Sequence, residues 1–376
     1  MIKKKKIKVV VAMSGGVDSA VAAALLKKQG YEVIGVFMQF WFPTGVIYGE
    51  NRCCSLESFN LAKETADILG LKIHKLNFGR QFKEKIVDEF LSDYAQFQTP
   101  NPCVACNKFI KFDLLLKNVL TVFEADYLAT GHYVIVKKTR KQENKKTKIQ
   151  YNLLKAKDKN KDQSYFLYNL RQDQLKHLLF PLGKYRKEEV RQLAKKFKLP
   201  VANRADSQEI CFVGHNHYDF LKRYLKLKPG KIVALKKSPS VQGGDEERWE
   251  VLGQHQGLPL YTIGQRSGLG LSGGPWYVAS LNKNKNLLIV TQDQNKSKIF
   301  SKSLKCYKIS WVSGEPKFPL KCQAQIRYRG QVEKCLVRKK NNILTVEFSK
   351  FQRAIAPGQS VVFYAGDEVL GGGVII

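Results

Sequence analysis

The segment Ala12-Met13-Ser14-Gly15-Gly16-Val17-Asp18-Ser19 constrains this chain more than any other, because it joins an apolar run beginning at Lys8 to Ala20–Leu26, a strong helix former. Strand, glycine turn and helix in direct succession form an anion site. Gly15 and Gly16 let the backbone turn and approach a phosphate closely, while the N–H groups and positive dipole end of the helix stabilise its charge. Asp18 or Ser19 is placed to cap that helix. The loop lacks both the Gly-Lys-Ser/Thr of a Walker loop and the G-x-G-x-x-G of a dinucleotide fold, so neither of those phosphate grips applies.

The pattern around the loop sets the fold class. Strand-like Lys8–Met13, Glu32–Phe40 and Lys72–Phe78 alternate with helix-like Ser19–Gln29 and Leu56–Leu69. Such alternation predicts an α/β domain over residues 1–214, a doubly wound parallel sheet covered by helices. The polar run Lys137–Lys148 reads as an exposed hairpin tip or loop. Residues 215–280 break into short strands with Gly and Pro, a small central domain carrying a mobile insertion at Ser238–Glu247. Over 281–376, strand-like Leu287–Thr291, Cys322–Tyr328, Leu344–Phe348 and Ser360–Tyr364 recur between turns. They predict a closed antiparallel β-barrel whose final strand is interrupted by Gly371–Gly373.

Charge bears on the partner. Among 376 residues, 64 Lys and Arg face 32 Asp and Glu, a net charge of +32 that favours a polyanion such as nucleic acid. Lys supplies 50 of those cations and Arg 14, a skew that an AT-rich genome produces without selection for binding, so charge alone does not decide. No apolar stretch is long enough to span a bilayer, and the Lys3–Lys6 run precedes a brief strand rather than a signal-peptide core. A cytoplasmic protein with no membrane partner is expected.

Eight cysteines without a secretory segment read as buried fillers or as chemistry. Thr99-Pro100-Asn101-Pro102-Cys103-Val104-Ala105-Cys106-Asn107 puts two of them after stiffening prolines and before a helix expected over Lys108–Phe123. There the dipole favours the thiolate of Cys106. The C-x-x-C also fits half of a zinc site, although no second pair matches it. Cys211, beside Ile210 and Phe212, reads by itself as a buried filler, as do Cys54, Cys306, Cys322 and Cys335, with Cys53 alongside them.

Ser-Gly-Gly-x-Asp-Ser after a strand resembles the PP-loop of the ATP pyrophosphatases, a superfamily that also holds argininosuccinate synthases, NAD synthetases and tRNA lysidine synthases. The ordered set is more specific: Ser14–Ser19, Cys53-Cys54-Ser55-Leu56-Glu57, Thr99–Asn107, Ala129-Thr130-Gly131-His132-Tyr133, Lys161–Leu167, Asp206–Gly214, Tyr261–Arg266 and Arg327-Tyr328-Arg329. Across essentially the whole chain it resembles the tRNA-specific 2-thiouridylases. The resemblance implies a HUP-like first domain and adenylation of the 2-oxygen of the wobble uridine, U34, before sulfur replaces it. It implies ATP, with Mg2+, held by Ala12, Met13, Ser14, Gly15, Gly16, Val17, Asp18, Ser19, Met38 and Gly131. By the same resemblance Asn101, Pro102 and Cys103 meet the target base. His132, Lys161, Asp162, Gln163, Arg327, Tyr328 and Gln359 contact tRNA.

For sulfur, the resemblance makes Cys211 the persulfide carrier and Cys106 the nucleophile that closes a disulfide with it, the sulfur coming from a cysteine desulfurase or a sulfur-relay protein. Many members carry Asp where this chain has Cys103. That departure leaves open a second route, in which Cys103, Cys106 and Cys211 ligate a [4Fe–4S] cluster. A reading from another class, a basic non-catalytic RNA-binding protein, is opposed by the intact Ser14–Ser19 loop.

Overall fold

The computed structural model describes residues 6–43, 55–143, 146–206, 210–213, 216–235, 249–292 and 299–376. Its first domain contains β1 (Lys8–Ala12), β2 (Glu32–Gln39), β3 (Lys72–Asn77), β4 (Tyr127–Ala129), the hairpin β5 (Val134–Glu143) and β6 (Lys146–Lys155), and the short β7 (Leu178–Leu179). Five of these strands form a parallel sheet in the order β3-β2-β1-β4-β7. Strand order therefore reverses beside β1, and ligands in such sheets bind at the carboxyl ends of the strands near that reversal.

Helices α1 (Val17–Lys28) and α2 (Leu56–Ile68) flank the sheet. Val17 and Ala20–Leu26 are all buried, which explains why α1 is apolar on every face. A helical run follows, α3 (Gly79–Phe82), a π-helical turn at Lys83–Val87, and α4 (Asp88–Ala95). A second run comprises α5 (Pro102–Ala105), a π-helical stretch Cys106–Leu115, and α6 (Leu116–Thr121). Short α7 (Gln172–Leu175), the amphipathic α8 (Lys187–Lys196) and α9 (His217–Tyr224) complete the set.

The central sheet has the order β10-β11-β8-β9, from β8 (Gly230–Leu235), β9 (Trp249–His255), β10 (Trp276–Asn282) and β11 (Leu287–Gln292). Here one expectation is corrected. The strand at Leu287–Thr291, read as the start of the barrel, pairs parallel with β8 instead, so the change of sheet falls after Gln292 and not at residue 281. A strand's period shows that it pairs but not with what. The insertion at Ser238–Glu247 lies outside the described residues.

The last six strands are β12 (Phe300–Trp311), β13 (Leu320–Gln325), β14 (Glu333–Lys340), β15 (Ile343–Arg353), β16 (Ser360–Ala365) and β17 (Glu368–Ile375). They run in the order β12-β15-β14-β13-β16-β17, and β12 pairs with β17 to close the barrel. The glycines at 371–373 do not interrupt β17, which is continuous. Gly371 lies under the Trp311 ring and Gly372 under Tyr168, where a Cβ would come within 2.7 Å of each aromatic side chain. The expected strand over Cys322–Tyr328 ends at Gln325, so Arg327 and Tyr328 stand in a turn.

The sheet does not stop at the barrel. Leu154 of β6 pairs with Glu368 of β17, Lys155 N–H donates to the Asp367 carbonyl at 2.8 Å, and Asn152 Nδ2 donates to Glu368 Oε1 at 2.9 Å. The polar run 137–148 is thus mostly hairpin strand, joined at its base to the C-terminal sheet.

Candidate active site

Helix α1 starts at Val17 with Gly16 as its N-cap, and no side chain caps it. Neither Asp18 nor Ser19 plays the capping part expected of it. Ser19 Oγ accepts from Ser14 N–H at 3.1 Å and donates to the Gly16 carbonyl at 3.1 Å, which shapes the loop itself. Gly15 has φ +72°, and a Cβ there would overlap the Ser58 backbone carbonyl of α2. A glycine is therefore required twice over, by conformation and by space. The uncapped helix start and glycine cradle suit a phosphate group, so the loop fits the nucleotide that the sequence implies.

Gly131 closes the cradle from the other side. A Cβ on it would come 2.8 Å from Asp18 C and Ser19 N, so the Ala129–Tyr133 segment passes directly over the start of α1. Met38 is half-buried at the carboxyl end of β2, next to β1, where such sheets collect ligands.

Asp18 turns to a charged network. Its carboxylate accepts from Lys187 Nζ at 2.7 and 2.9 Å and from the Tyr133 hydroxyl at 2.7 Å. Lys187, 6% exposed, also lies 2.9 Å from Asp206, which takes Lys161 at 2.6 Å and Arg191 at 3.0 Å. Burial pushes the Asp206 carboxyl up, but its hydrogen bonds with Lys161 and Lys187 outweigh that and hold it below the ordinary value. Burial, followed by the Asp18 charge, raises Tyr133 far above a normal phenol, so it stays a donor.

A second tie joins the same two segments. Arg204 Nη1 donates to the Gly15 carbonyl at 2.6 Å and Nη2 to Ser58 Oγ at 2.9 Å. The nucleotide loop is therefore bonded through Arg204 and Asp206 to the segment that leads to Cys211. Residues 207–209 and 214 of that segment lie outside the described residues, as do Cys53 and Cys54. Cys211 is half-buried, and Phe212 beside it packs edge-on against Phe82 and Phe90 at 5.7 and 5.2 Å.

The other cysteines need a correction. The helix begins at Pro102, not Lys108, with Asn101 Oδ1 accepting from Val104 N–H at 3.3 Å as the N-cap. Cys103 therefore occupies the first turn and is exposed, while Cys106 is buried at the onset of the π-helical stretch. The signal was present in Asn-Pro, the preferred residues for N-cap and first helical position. Among the described residues no group of three His, Cys, Asp or Glu is placed to hold a metal ion.

Asn101 and Pro102 line a cavity of about 410 Å3 together with Lys108, Tyr168 and Ser360, at the junction of the cysteine helix with the barrel. Neither Cys106 nor Cys211 lines it. Several residues expected on tRNA are engaged internally. Gln163 Oε1 accepts from Tyr133 N–H at 2.9 Å, Asp162 accepts from Ala156 N–H at 2.9 Å and Ser164 Oγ at 2.7 Å, and Lys161 pairs with Asp206. Gln359 Nε2 donates to the Thr99 carbonyl at 3.0 Å, fastening the barrel to the cysteine loop. Tyr328 stacks obliquely on Phe166 at 4.4 Å, which brings the Arg327–Tyr328 turn onto the Lys161–Leu167 segment, with Arg327 exposed.

His132 shares a 2.8 Å hydrogen bond with the Thr130 hydroxyl. Burial, and secondarily Lys111, lowers its pKa well below the usual value, so the ring is neutral near pH 7. The sequence reading missed Lys187, Tyr133 and Arg204 as parts of this site. Lys187 opens an ordinary charged helix, and nothing local marks it as buried.

Three family models match in order along the chain: the tRNA methyl transferase HUP domain over residues 7–215, the tRNA methyl transferase PRC-barrel domain over 218–292, and the aminomethyltransferase beta-barrel domain over 301–375. A tRNA-specific 2-thiouridylase MnmA of Carboxydothermus hydrogenoformans is 47% identical over 98% of this chain and 97% of its own length. One from Thermoanaerobacter pseudethanolicus is 44% identical, covering 99% of this chain and 98% of that one. A third, from Clostridioides difficile, is 41% identical over 98% of both. With its ordered motifs, three matched domains and full-length relatives in agreement, the chain belongs to the tRNA-specific 2-thiouridylase family.

Proposed function

We propose that this chain is a tRNA sulfurtransferase that uses ATP to convert U34 to 2-thiouridine, releasing AMP and pyrophosphate. The observation that carries the reading is the bond from Arg204 to the Gly15 carbonyl, which ties the nucleotide loop to the segment bearing Cys211. ATP enters as a substrate, with Mg2+, its phosphates at the start of α1. The uracil 2-oxygen attacks the α-phosphate, pyrophosphate leaves, and a poor leaving group becomes AMP.

Sulfur transfer then follows from two thiols. A persulfide on Cys211, loaded by a cysteine desulfurase or relay protein, attacks C2 through its terminal sulfur, and AMP departs with the C–O electron pair. The Cys106 thiolate attacks Cys211 Sγ, and the sulfur on C2 leaves with its electrons as the thiocarbonyl. The product disulfide, Cys106–Cys211, is reduced by an external thiol before the next turnover. This step requires the Cys106 and Cys211 sulfurs to be in contact. Asn101, Pro102 and Cys103 meet the extruded base, while His132, Lys161–Gln163, Arg327, Tyr328 and Gln359 lie along the tRNA path. No helix among the described residues is long and apolar enough to cross a membrane, and the reading places the enzyme in the cytoplasm with its tRNA.

The test is nucleoside mass spectrometry of tRNA after incubation with ATP, a sulfide or persulfide source and the protein. Wild type should yield 2-thiouridine, while Cys106→Ala and Cys211→Ala should not. Pyrophosphate release that persists in Cys211→Ala would place the lesion after adenylation. Normal 2-thiouridine from both variants would end the persulfide reading.

A further inference from the structure

Strands β13 and β14 form a hairpin whose turn presents Arg327, Tyr328 and Arg329. Midway along it Cys322 stands directly opposite Cys335 in the antiparallel register. Opposed residues in such a ladder have Cα atoms roughly 4.5 or 5.5 Å apart, both within the range of about 4.4–6.8 Å that a disulfide tolerates. The thiols already touch, with Sγ atoms 3.6 Å apart. Both line an open groove of about 640 Å3 with Phe348, Tyr364, Lys321 and Lys334, and Cys322 is half-buried within it. A small reagent can therefore reach the pair.

We propose that Cys322 and Cys335 form a reversible dithiol–disulfide site, oxidised by exchange with a low-molecular-weight disulfide of the glutathione class. Both had the look of buried fillers, and no step of sulfur transfer uses them. Cys322 attacks one sulfur of the small disulfide and releases one thiolate. Cys335 then attacks Cys322 Sγ and releases the second. Two protein thiols and one small disulfide become one protein disulfide and two small thiols, the two electrons passing to the reagent. The order follows from the environment. Cys335 is buried while Cys322 is half-buried at the groove, so Cys322 is reached first, and its capture removes the hydrogen bond that, with burial, holds the Cys335 proton. Cys306 in the same barrel is a built-in contrast: fully buried, its thiol is pushed up to about 12.

A bond across the middle of the hairpin would brace the turn carrying Arg327 and Tyr328. That consequence rests on the reading of the turn as a tRNA contact, whereas the site itself does not. The experiment equilibrates the full-length protein with reduced and oxidised glutathione at graded ratios and maps cysteine peptides without reduction. Expected are a linked Cys322–Cys335 peptide in wild type, glutathione trapped on Cys322 in Cys335→Ser, and loss of both species in Cys322→Ser. Cys322→Ser should retain 2-thiouridine formation. A wild-type protein that acquires glutathione on exposed Cys103 with no 322–335 bond would overturn the proposal, as would an unmodified Cys322 in Cys335→Ser. If the linked peptide forms but Arg327→Ala leaves tRNA affinity unchanged, the tRNA reading of the turn fails and the thiol site stands.

Discussion

Lys187 is held almost out of water between Asp18 on the nucleotide loop and Asp206 on the cysteine segment. Removing Lys187 leaves Asp18 only the Tyr133 hydroxyl while Asp206 keeps Lys161 and Arg191, so the cost falls below the figure of about 3–5 kcal/mol for a fully buried pair. Lys187→Met should therefore lower the melting temperature and depress both pyrophosphate release and 2-thiouridine formation, with Lys187→Arg recovering part of each. A Lys187→Met protein that melts and reacts like wild type would remove the residue from the site. The pH dependence has a definite sign. Asp206 is held below its ordinary 3.8, so the network's contribution is intact above that value and disappears as pH falls through the lower folded one. Denaturant melts of wild type and Asp206→Asn should differ at pH 7 and converge in acid. None of this was legible locally, because Lys187 and Asp18 are 169 positions apart, and a charged helix start normally faces solvent.

At the scale of elements, the strand, loop and helix of the nucleotide site were legible because each has its own period and the glycines mark the turn between them. Gly15→Ala should be severe. The left-handed backbone costs roughly 1–2 kcal/mol for a residue with a Cβ, and the added carbon displaces the Ser58 carbonyl of α2. ATP binding measured by calorimetry should be lost while the fold, followed by circular dichroism, persists. ATP binding at wild-type strength would show that the cradle is not used. The second helical run was legible in type and wrong in its start, because the Lys108 estimate followed the apolar period and passed over the Asn101 cap. That shift moves Cys103, not Cys106, to the position nearest the helix dipole. The π-helical stretch that follows has no signature in composition at all, since its spacing differs from an α-helix only in which backbone groups pair.

The molecule as a whole carries a net charge of +32, and its RNA affinity should report how much of that charge is used. If six or more phosphates are neutralised, tRNA binding should weaken by a factor on the order of 10³ between about 50 and 200 mM salt. A shallow dependence in a filter-binding titration would assign most lysines to background composition. The three-part order along the chain was legible from texture, but the boundary near residue 281 was not, since β11 is an apolar run like those of the barrel strands and only its partner β8 places it centrally. The junction between the first and last domains was equally hidden. Because β6 hydrogen-bonds to β17, a cut at either end of the central domain divides a sheet rather than a linker. Chimeras between relatives should accordingly exchange the β5–β6 hairpin together with the barrel, for the heritable building block is the paired surface and not the contiguous stretch of sequence.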